Sequence, residues 1–385
     1  MLGAPEGRRG DGAHPITPDT EGTQPMKSIG MLALSLAAAV AVAGERAPDT
    51  DTLDLGALMR PADSANFYKQ KEWFVWDPSV IRAEDGSYRL FFSRWPKAYT
   101  FNSWLTHSEI AVARADRPEG PYGASKTVLQ SRPGAWDAIS LYNSKAYRFG
   151  SKVYLYYCSK DDGGANFSAE KLVEIARKGY SHDKWLHLAY RQRPGVAIAD
   201  TVDGPWRRLD APIAQPNGTI VDQTVNPAVA QAPDGTYRII LKGRNPAGRK
   251  PWSLQIGGKA DRPEGPYELA KGGVFRDFAT EDATLWYDAT RKRYYSVVHA
   301  HGSNFLALLT SEDGLSWRAA KHRVVCKKEI PLTDGTTMKV DRMERPEVYL
   351  ENGQPRLLLA AVKRGAESWI VFFPLAKETA ACAAK

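Results

Sequence analysis

Cysteine is scarce in this chain: its 385 residues include three, Cys158, Cys326 and Cys382. An exported protein built on disulfides would carry a denser, even-numbered set, so a disulfide framework is excluded. The cysteines and histidines also lack the spacing of a structural zinc site. Cys158 ends an apolar stretch and is predicted to be a small buried side chain, whereas a bond between Cys326 and Cys382 stays open.

Two further features are missing from the sequence. After residue 43 no apolar run approaches the roughly 20 residues that cross a bilayer, so we predict no stable membrane insertion. Lysine and arginine are scattered, without a basic helical stripe or a zinc motif, so nucleic acid is excluded as a partner.

The first 43 residues have the features of an export signal. Residues 1–25 are polar and without periodicity; a basic start at Met26-Lys27, an apolar run over residues 29–42 and the small residues Ala41-Val42-Ala43 follow. This order is typical of a secretory signal peptide, and a membrane anchor is the alternative. We therefore expect an exported protein, periplasmic or secreted, with Met26 as its initiator.

The balance of charges is basic. The chain carries a formal net charge of +8, and removal of residues 1–43 takes away three basic and four acidic side chains and leaves +9. A basic exported protein could favour acidic partners, such as uronate-containing or sulfated glycans. A solvated basic surface is the other interpretation.

The sequence also contains a repeated pattern. Five short β-rich segments open on a polar residue, often with proline behind it: Trp76-Asp77-Pro78, Tyr142-Asn143-Ser144, Val225-Asn226-Pro227, Thr280-Glu281-Asp282 and Glu344-Arg345-Pro346. The clearest pair reads DPSVIRAEDGSYRLFF from Asp77 and NPAVAQAPDGTYRIIL from Asn226. Positions 77, 143, 226, 281 and 344 are spaced by 66, 83, 55 and 63 residues. Irregular repeats of a four-stranded unit predict a β-propeller with insertions in its loops.

A second phrase closes the repeats. ADRPEGPY occurs at 115–122 and again at 260–267, with looser versions at 199–206 and 310–317 that also end in an aromatic residue. We interpret the phrase as a tight turn between the third and outer strands, whose aromatic side chain packs between blades.

The chain therefore divides into four parts. These are an extension and signal peptide at 1–43, a lead-in at 44–70, an all-β propeller of five four-stranded antiparallel blades at 71–376 and a flexible tail at 377–385. Residues 159–194 are an insertion in the second blade, with helical spacing over 168–178, and we expect them to form one wall over the site.

The motifs DPSV with DGSYRLFF, EDATLWYD and ERPEVYL resemble those of the five-bladed glycoside hydrolases of family 43 and, more distantly, of families 117, 32 and 130. The resemblance covers about residues 70 to 375. It implies a glycosidase with an aspartate general base on the first blade, a glutamate general acid on the fourth, and a third acidic residue that orients the acid.

Carried over by position, the resemblance implies that Asp77 is the base and Glu281 the acid. The third role falls on Asn226, where an amide replaces the family's carboxylate, and Asp222 or Asp282 could supply the missing charge. Independently, glycoside cleavage needs two carboxyl groups across the scissile bond, one protonated and one ionised. Asp77 as a turn cap before proline is the structural alternative.

Other predicted substrate contacts surround this pair. They are Trp76, Trp104, His107, Asp137, Asn143, Lys242, Arg244, Asp282, His301, Glu344 and Arg345. Each has a structural alternative: packing for the tryptophans, an ion pair for Arg345, a loop cap for Asp137 and solvent exposure for Lys242 and Arg244. The residues assign no metal, and the resemblance suggests calcium at the propeller axis, because some relatives place a histidine beside a central calcium.

The predicted function is hydrolysis of a plant or algal oligo- or polysaccharide, with inversion. The sucrose-cleaving retaining relatives carry Asn-Asp-Pro-Asn and Arg-Asp-Pro motifs, which this sequence lacks. A glycoside phosphorylase on the same fold is one alternative. A non-catalytic glycan-binding propeller is the other, and the amide at position 226 is its best support.

Overall fold

A computed structural model describes residues 49–248, 250–273, 275 and 277–378. The predicted signal peptide lies outside these residues, as does Cys382, whose bond to Cys326 the sequence leaves open. Among the described residues, no helix has the length and apolarity needed to cross a membrane.

The lead-in contains a short helix, α1 (Leu55–Leu58), whose N-cap Asp54 accepts a hydrogen bond from the backbone of Ala57. The first blade follows, with strands in the order β1 (Trp73–Arg82), β2 (Tyr88–Pro96), β3 (Glu109–Ala115) and β4 (Ser125–Leu129). The predicted Asp-Gly turn joins the first two strands, and Gly86 adopts φ 82°, where glycine is favoured. Helix α2 (Trp104–His107) lies in the loop before β3.

The second and third blades repeat this order. Blade two comprises β5 (Ile139–Phe149), β6 (Lys152–Lys160), β7 (Arg193–Ala199) and β8 (Arg207–Arg208), and its insertion contains α3 (Ala169–Lys178) and α4 (Trp185–Tyr190). Blade three comprises β9 (Val221–Gln231), β10 (Tyr237–Arg244), β11 (Ser253–Ala260) and β12 (Glu268–Leu269). Four-stranded antiparallel blades are thus confirmed here.

The last two blades depart from four strands. Blade four has five, because its inner strand is broken: β13 (Thr280–Glu281) and β14 (Trp286–Asp288) both pair with β15 (Arg293–Ala300), followed by β16 (Phe305–Ser311) and β17 (Arg318–Lys327). A hairpin of β18 (Glu329–Pro331) and β19 (Thr337–Lys339) precedes blade five. Blade five has three strands, β20 (Arg342–Glu351), β21 (Gln354–Arg364) and β22 (Glu367–Pro374).

The lead-in takes the place of the missing outer strand. Tyr68 exchanges backbone hydrogen bonds of 3.1 and 2.9 Å with Ile370 on β22, and Arg60 donates to Pro374 at 2.8 Å. Leu55 and Leu58 pack in one apolar cluster with side chains of blades four and five. The segment therefore covers an edge strand that would otherwise expose unpaired backbone groups.

The repeated closing phrase has the same structure in both copies. The hydroxyl of Tyr122 donates to the carbonyl of Pro118 at 2.8 Å, and that of Tyr267 donates to Pro263 at 2.7 Å. Tyr122 stacks on Phe372 of blade five, with ring centroids 5.5 Å apart. The aromatic residue thus packs against the neighbouring blade, as predicted.

Candidate active site

The inner strand of each blade is distorted at one equivalent position. In blades one, two, three and five the pairing register shifts there, and in blade four the strand breaks. Five residues at these positions have φ between 53° and 59°: Asp77, Asn143, Asn226, Asp282 and Arg345. Asparagine and aspartate tolerate this left-handed region better than other residues with a side chain, which accounts for four of the five.

These five side chains form a closed ring around the axis, the axial ring. Asn143 donates its backbone N–H to Asp77 Oδ2 at 2.9 Å and its amide to Asn226 Oδ1. Asn226 donates to Asp282 Oδ1 at 2.6 Å. Arg345 completes the ring, with Nη1 2.7 Å from Asp282 Oδ1 and Nε 3.1 Å from Asp77 Oδ1. The contact between Arg345 Nε and Asp77 Oδ1 is an ion pair whose geometry does not form a hydrogen bond. The ring therefore holds two carboxylates around one guanidinium.

The ring corrects the predicted register in two blades. Glu281 and Glu344 were aligned with Asp77, but the equivalent positions are Asp282 and Arg345. In both blades an acidic residue directly precedes the ring member, and the alignment settled on that residue, although Pro346 follows Arg345 in blade five. The residues that precede the ring members all line the space above: Trp76, Tyr142, Val225, Glu281 and Glu344.

A cavity of about 640 Å³ lies over the axial ring. The blade-two insertion forms one wall, as predicted, through Tyr180, Trp185 and Tyr190 among others. Helix α3 begins at the N-cap Ser168, and its apolar face contributes the buried Ile175 to a cluster under that wall. The cavity is therefore closed on one side by a segment outside the repeated unit.

Most of the predicted site residues line this cavity. The set comprises Trp76, Asp77, Trp104, Asn143, Asn226, Lys242, Glu281, His301, Glu344 and Arg345. Asp282 lies in the ring, beside a small axial void. The structure thus brings together side chains from all five blades.

Two predicted substrate contacts belong to the structural framework instead. Asp137 is completely buried and binds Arg132 at 2.8 Å and Arg208 at 3.0 Å, so its charge is already satisfied. His107 packs on Tyr99 with ring centroids 4.5 Å apart and does not line the cavity.

Asp222 and Arg244 are a further correction. They form an ion pair with each other, and Asp222 lines a separate cavity with Trp136 and Arg193. Asp222 therefore cannot replace the carboxylate that Asn226 lacks. Asp282 is the carboxylate that meets Asn226.

Glu281 is held in its ionised form. Lys242 Nζ lies 3.1 Å from its Oε1, and the hydroxyl of Ser253 donates to the same oxygen at 3.3 Å. Burial acts to raise the pKa of Glu281, but the charges of Lys242, His301 and Arg345 outweigh it and lower the pKa to about 2. A carboxylate of this kind binds donors and does not hold a proton near neutral pH.

Glu344 has the opposite electrostatics. Its burial and the charge of Asp282 raise its pKa to about 7, because Arg342 and Arg345 offset them only in part. The nearest nitrogen of Arg342 is 3.8 Å away. Two glutamates in one cavity thus have pKa values pushed apart, the pattern that assigns acid and anionic roles in glycosidases.

Sequence reasoning missed several residues of the cavity. They include Tyr180, Trp185, Gln192, Gln223, Lys328 and Arg342. His299 also lines the cavity, because strand pairing places it opposite Glu281 on β15. Lys328 carries no motif, and only the pairing of distant strands places it here.

The residues do not fit the predicted axial calcium. Calcium prefers oxygen ligands, but Asp77 and Asp282 already flank the guanidinium of Arg345. Glu281, Asp282 and His299 have ligand atoms within 4.8 Å of one another. Lys242 forms an ion pair with Glu281, and Arg345 forms one with Asp282. Neither the axial ring nor this cluster therefore offers calcium an unpaired carboxylate.

The comparisons with known proteins identify the fold. No protein-family model matches the chain, and no curated protein is similar to it. Among solved structures, a family 117 glycoside hydrolase of the marine bacterium Zobellia galactanivorans matches with a TM-score of 0.52 and 13% identity, over 82% of this chain and 89% of that one. The chain shares the five-bladed propeller of family 117 and family 43 glycoside hydrolases.

Two further structures show the same fold. An α-L-arabinofuranosidase from Lactobacillus brevis has a TM-score of 0.53 and 13% identity, over 81% of this chain and 94% of that one. A family 43 β-xylosidase/α-arabinofuranosidase from a compost metagenome, in a calcium-free form with xylotriose, has a TM-score of 0.52 and 16% identity, over 85% and 96%. At these identities the likeness establishes the fold.

Proposed function

We propose that this protein is an exported glycoside hydrolase that cleaves a plant or algal oligo- or polysaccharide with inversion at the anomeric carbon. The observation that carries the proposal is the pairing, in one cavity, of the carboxylate Asp77 with Glu344, whose pKa is raised to about 7. The shared fold with glycoside hydrolases supports it.

Each carboxyl group has one task in the proposed reaction. Glu344 donates its proton to the glycosidic oxygen as the bond from that oxygen to the anomeric carbon breaks. A water molecule attacks the same carbon from the opposite face and gives its proton to Asp77. The products are a free alcohol and a sugar of inverted configuration, and proton exchange with solvent restores both groups.

The remaining ionised groups have supporting tasks. Arg345 binds both Asp77 and Asp282, so it fixes the base in position. Glu281, paired with Lys242, is suited to accept hydrogen bonds from sugar hydroxyls. This assignment moves the acid from Glu281 to Glu344, because a donor must be protonated near the working pH.

The test is a screen of aryl glycosides and polysaccharide fragments with the wild type, Asp77→Asn, Glu344→Gln and Glu281→Gln. Asp210→Asn is the control, since the Asp210 side chain is 98% exposed. We expect Asp77→Asn to lower kcat by roughly a hundredfold or more. Unchanged turnover in Asp77→Asn and Glu344→Gln would overturn the proposal.

Two additions to the screen decide between mechanisms. Proton NMR of the first-formed sugar shows an inverted anomer if water attacks directly, whereas a retained anomer indicates a covalent intermediate. Assays with and without inorganic phosphate separate hydrolysis from phosphorolysis. A wild type that binds glycans but turns over none of them supports the binding-propeller alternative.

A further inference from the structure

One wall of the cavity carries a lysine and two histidines, the blade-four wall, defined by His299, His301 and Lys328. Burial lowers the pKa of His299 to about 4, so this imidazole is a neutral hydrogen-bonding group. Strand pairing brings the three residues together: His299 lies opposite Glu281, the backbone of His301 donates to Ala279 at 2.9 Å, and that of Lys328 donates to Asn304 at 2.7 Å. All three side chains line the cavity, and the rings of His299 and His301 lie 5.9 Å apart.

His299 has hydrogen-bonding groups without partners. Its residue surface is 4% exposed, and neither ring nitrogen has a hydrogen-bond partner among the described residues. An unpaired polar atom at such depth costs about 1–3 kcal/mol. A ligand that reaches the end of this wall would remove that cost.

Among the described residues, Lys328 is a cation of the cavity that has no carboxylate partner, whereas Arg342 lies 3.8 Å from Glu344. Lys242 pairs with Glu281, and Arg345 pairs with Asp77 and Asp282. Within the described part of the chain, Lys328 has no carboxylate oxygen within the 4.0 Å of an ion pair.

The remaining acidic neighbours do not supply a partner. Asp341, which also lines the cavity, accepts a hydrogen bond from the backbone of Gly365 at 2.7 Å. Glu344 is partly protonated near neutral pH because burial and Asp282 raise its pKa to about 7. The blade-four wall thus presents a positive charge and unfilled hydrogen-bond positions on the same side.

We propose that the blade-four wall binds an anionic substituent of the glycan, a carboxylate or a sulfate ester, so that the substrate is an acidic polysaccharide. The proposal rests on the proposed function in taking the cavity as the glycan site. Lys328 supplies the charge, and His299 and His301 supply hydrogen bonds to the anion's oxygens. The aromatic side chains Trp76, Trp104 and Tyr180 of the same cavity pack against the neutral sugar ring.

The experiment measures binding, by isothermal titration calorimetry, to polysaccharide pairs that differ in the anionic group alone. The pairs are polygalacturonate with its methyl ester, and a sulfated galactan with its desulfated form. We expect the wild type to bind the charged member of one pair about tenfold more tightly, as a charge-assisted hydrogen bond provides. The pair that shows the preference identifies carboxylate or sulfate.

Lys328→Gln is the test variant, and Lys327→Gln is its matched control. Lys327 is the exposed neighbour on β17 and does not line the cavity, so its loss removes the same net charge. Lys328→Gln should abolish the preference while leaving the affinity for the neutral member unchanged, and Lys327→Gln should keep the preference. Thermal unfolding of both variants checks that each is folded.

Three results would overturn the proposal. The first is equal affinity of the wild type for both members of both pairs. The second is an equal loss of the preference for the charged member in Lys328→Gln and Lys327→Gln. The third is turnover that depends on inorganic phosphate and is lost in Lys328→Gln. The last would assign the wall to a phosphate co-substrate.

Because the experiment measures binding, its outcome is distinct from that of the activity screen. A preference for the charged glycan without any hydrolysis would overturn the proposed function alone. Hydrolysis of neutral glycans without a preference for the charged glycan would overturn the present proposal alone.

Discussion

Arg345 is the ring member whose residue type is least expected at its backbone conformation. A non-glycine residue with φ 56° that is neither asparagine nor aspartate is strained, by about 1–3 kcal/mol where the surroundings impose it. Its guanidinium lies between Asp77 and Asp282, both 3% exposed. The strain is therefore compensated by neutralising two buried carboxylates that would otherwise repel each other.

The raised pKa of Glu344 predicts a specific pH profile. Its acid form exists below about 7, so wild-type kcat/KM should fall as the pH rises through that value. Glu344→Gln should lose about 10²–10⁴ of the rate on glycosides with poor leaving groups. On dinitrophenyl glycosides, which leave without protonation, it should keep most activity and lose the alkaline limb. If Glu281→Gln shows this pattern instead, the acid is Glu281.

Removal of the ring cation should destabilise the fold. Arg345→Met leaves Asp77 and Asp282 buried without their partner, which costs about 3–5 kcal/mol. Arg342→Met is the control, because the Arg342 side chain is 46% exposed and lies 3.8 Å from its carboxylate. Urea unfolding should show a large loss in the free energy of unfolding for Arg345→Met alone. Equal unfolding midpoints would contradict the role given to the ring.

At the scale of elements, the sequence predicts the ring residue most directly in blades one and three. The Asp-Pro and Asn-Pro openings and the Asp-Gly turns predict blades one and three with their ring residues Asp77 and Asn226. In blades four and five an acidic residue directly precedes the ring member, so the predicted position was displaced by one residue, to Glu281 and Glu344. A slip of one residue moves a side chain from the ring into the cavity, which is why Glu281 and Asp282 differ in their surroundings.

Residues placed by long-range pairing were beyond prediction. Lys328 follows β17, and the segment after it pairs with the lead-in, where Ala62 bridges to Leu332. No local pattern links Lys328 to His299, which is on another strand. Likewise, Asp137 lies just before β5 and Asp222 near the start of β9, close in sequence to the ring members Asn143 and Asn226. Nearby arginines that the sequence cannot place satisfy the charges of both aspartates.

The lead-in makes an element-scale prediction. Leu55 is fully buried between blades four and five, so Leu55→Ala should lower the free energy of unfolding by about 2–5 kcal/mol. Leu186→Ala makes the same truncation at a residue 54% exposed and should cost less than about 0.5 kcal/mol. Chemical denaturation of both variants is the measurement. A small effect at Leu55 would mean that the lead-in does not help to hold the propeller closed.

At the scale of the whole molecule, export is a prediction of its own. The basic start, apolar run and small residues that end at Ala43 predict cleavage before Gly44. N-terminal sequencing of the protein recovered from outside the cytoplasm should begin at Gly44. Recovery with Met26 intact would contradict it and favour a retained anchor.

The pairing of the lead-in with β22 also makes the propeller suitable for circular permutation. The backbone of Ala376 donates to the carbonyl of Leu58 at 2.8 Å, so the two ends of the propeller lie side by side. A short peptide would join them into a circle. New termini opened at the exposed turn of Gly150, between the first two strands of blade two, would then give a circular permutant with the same wheel of blades.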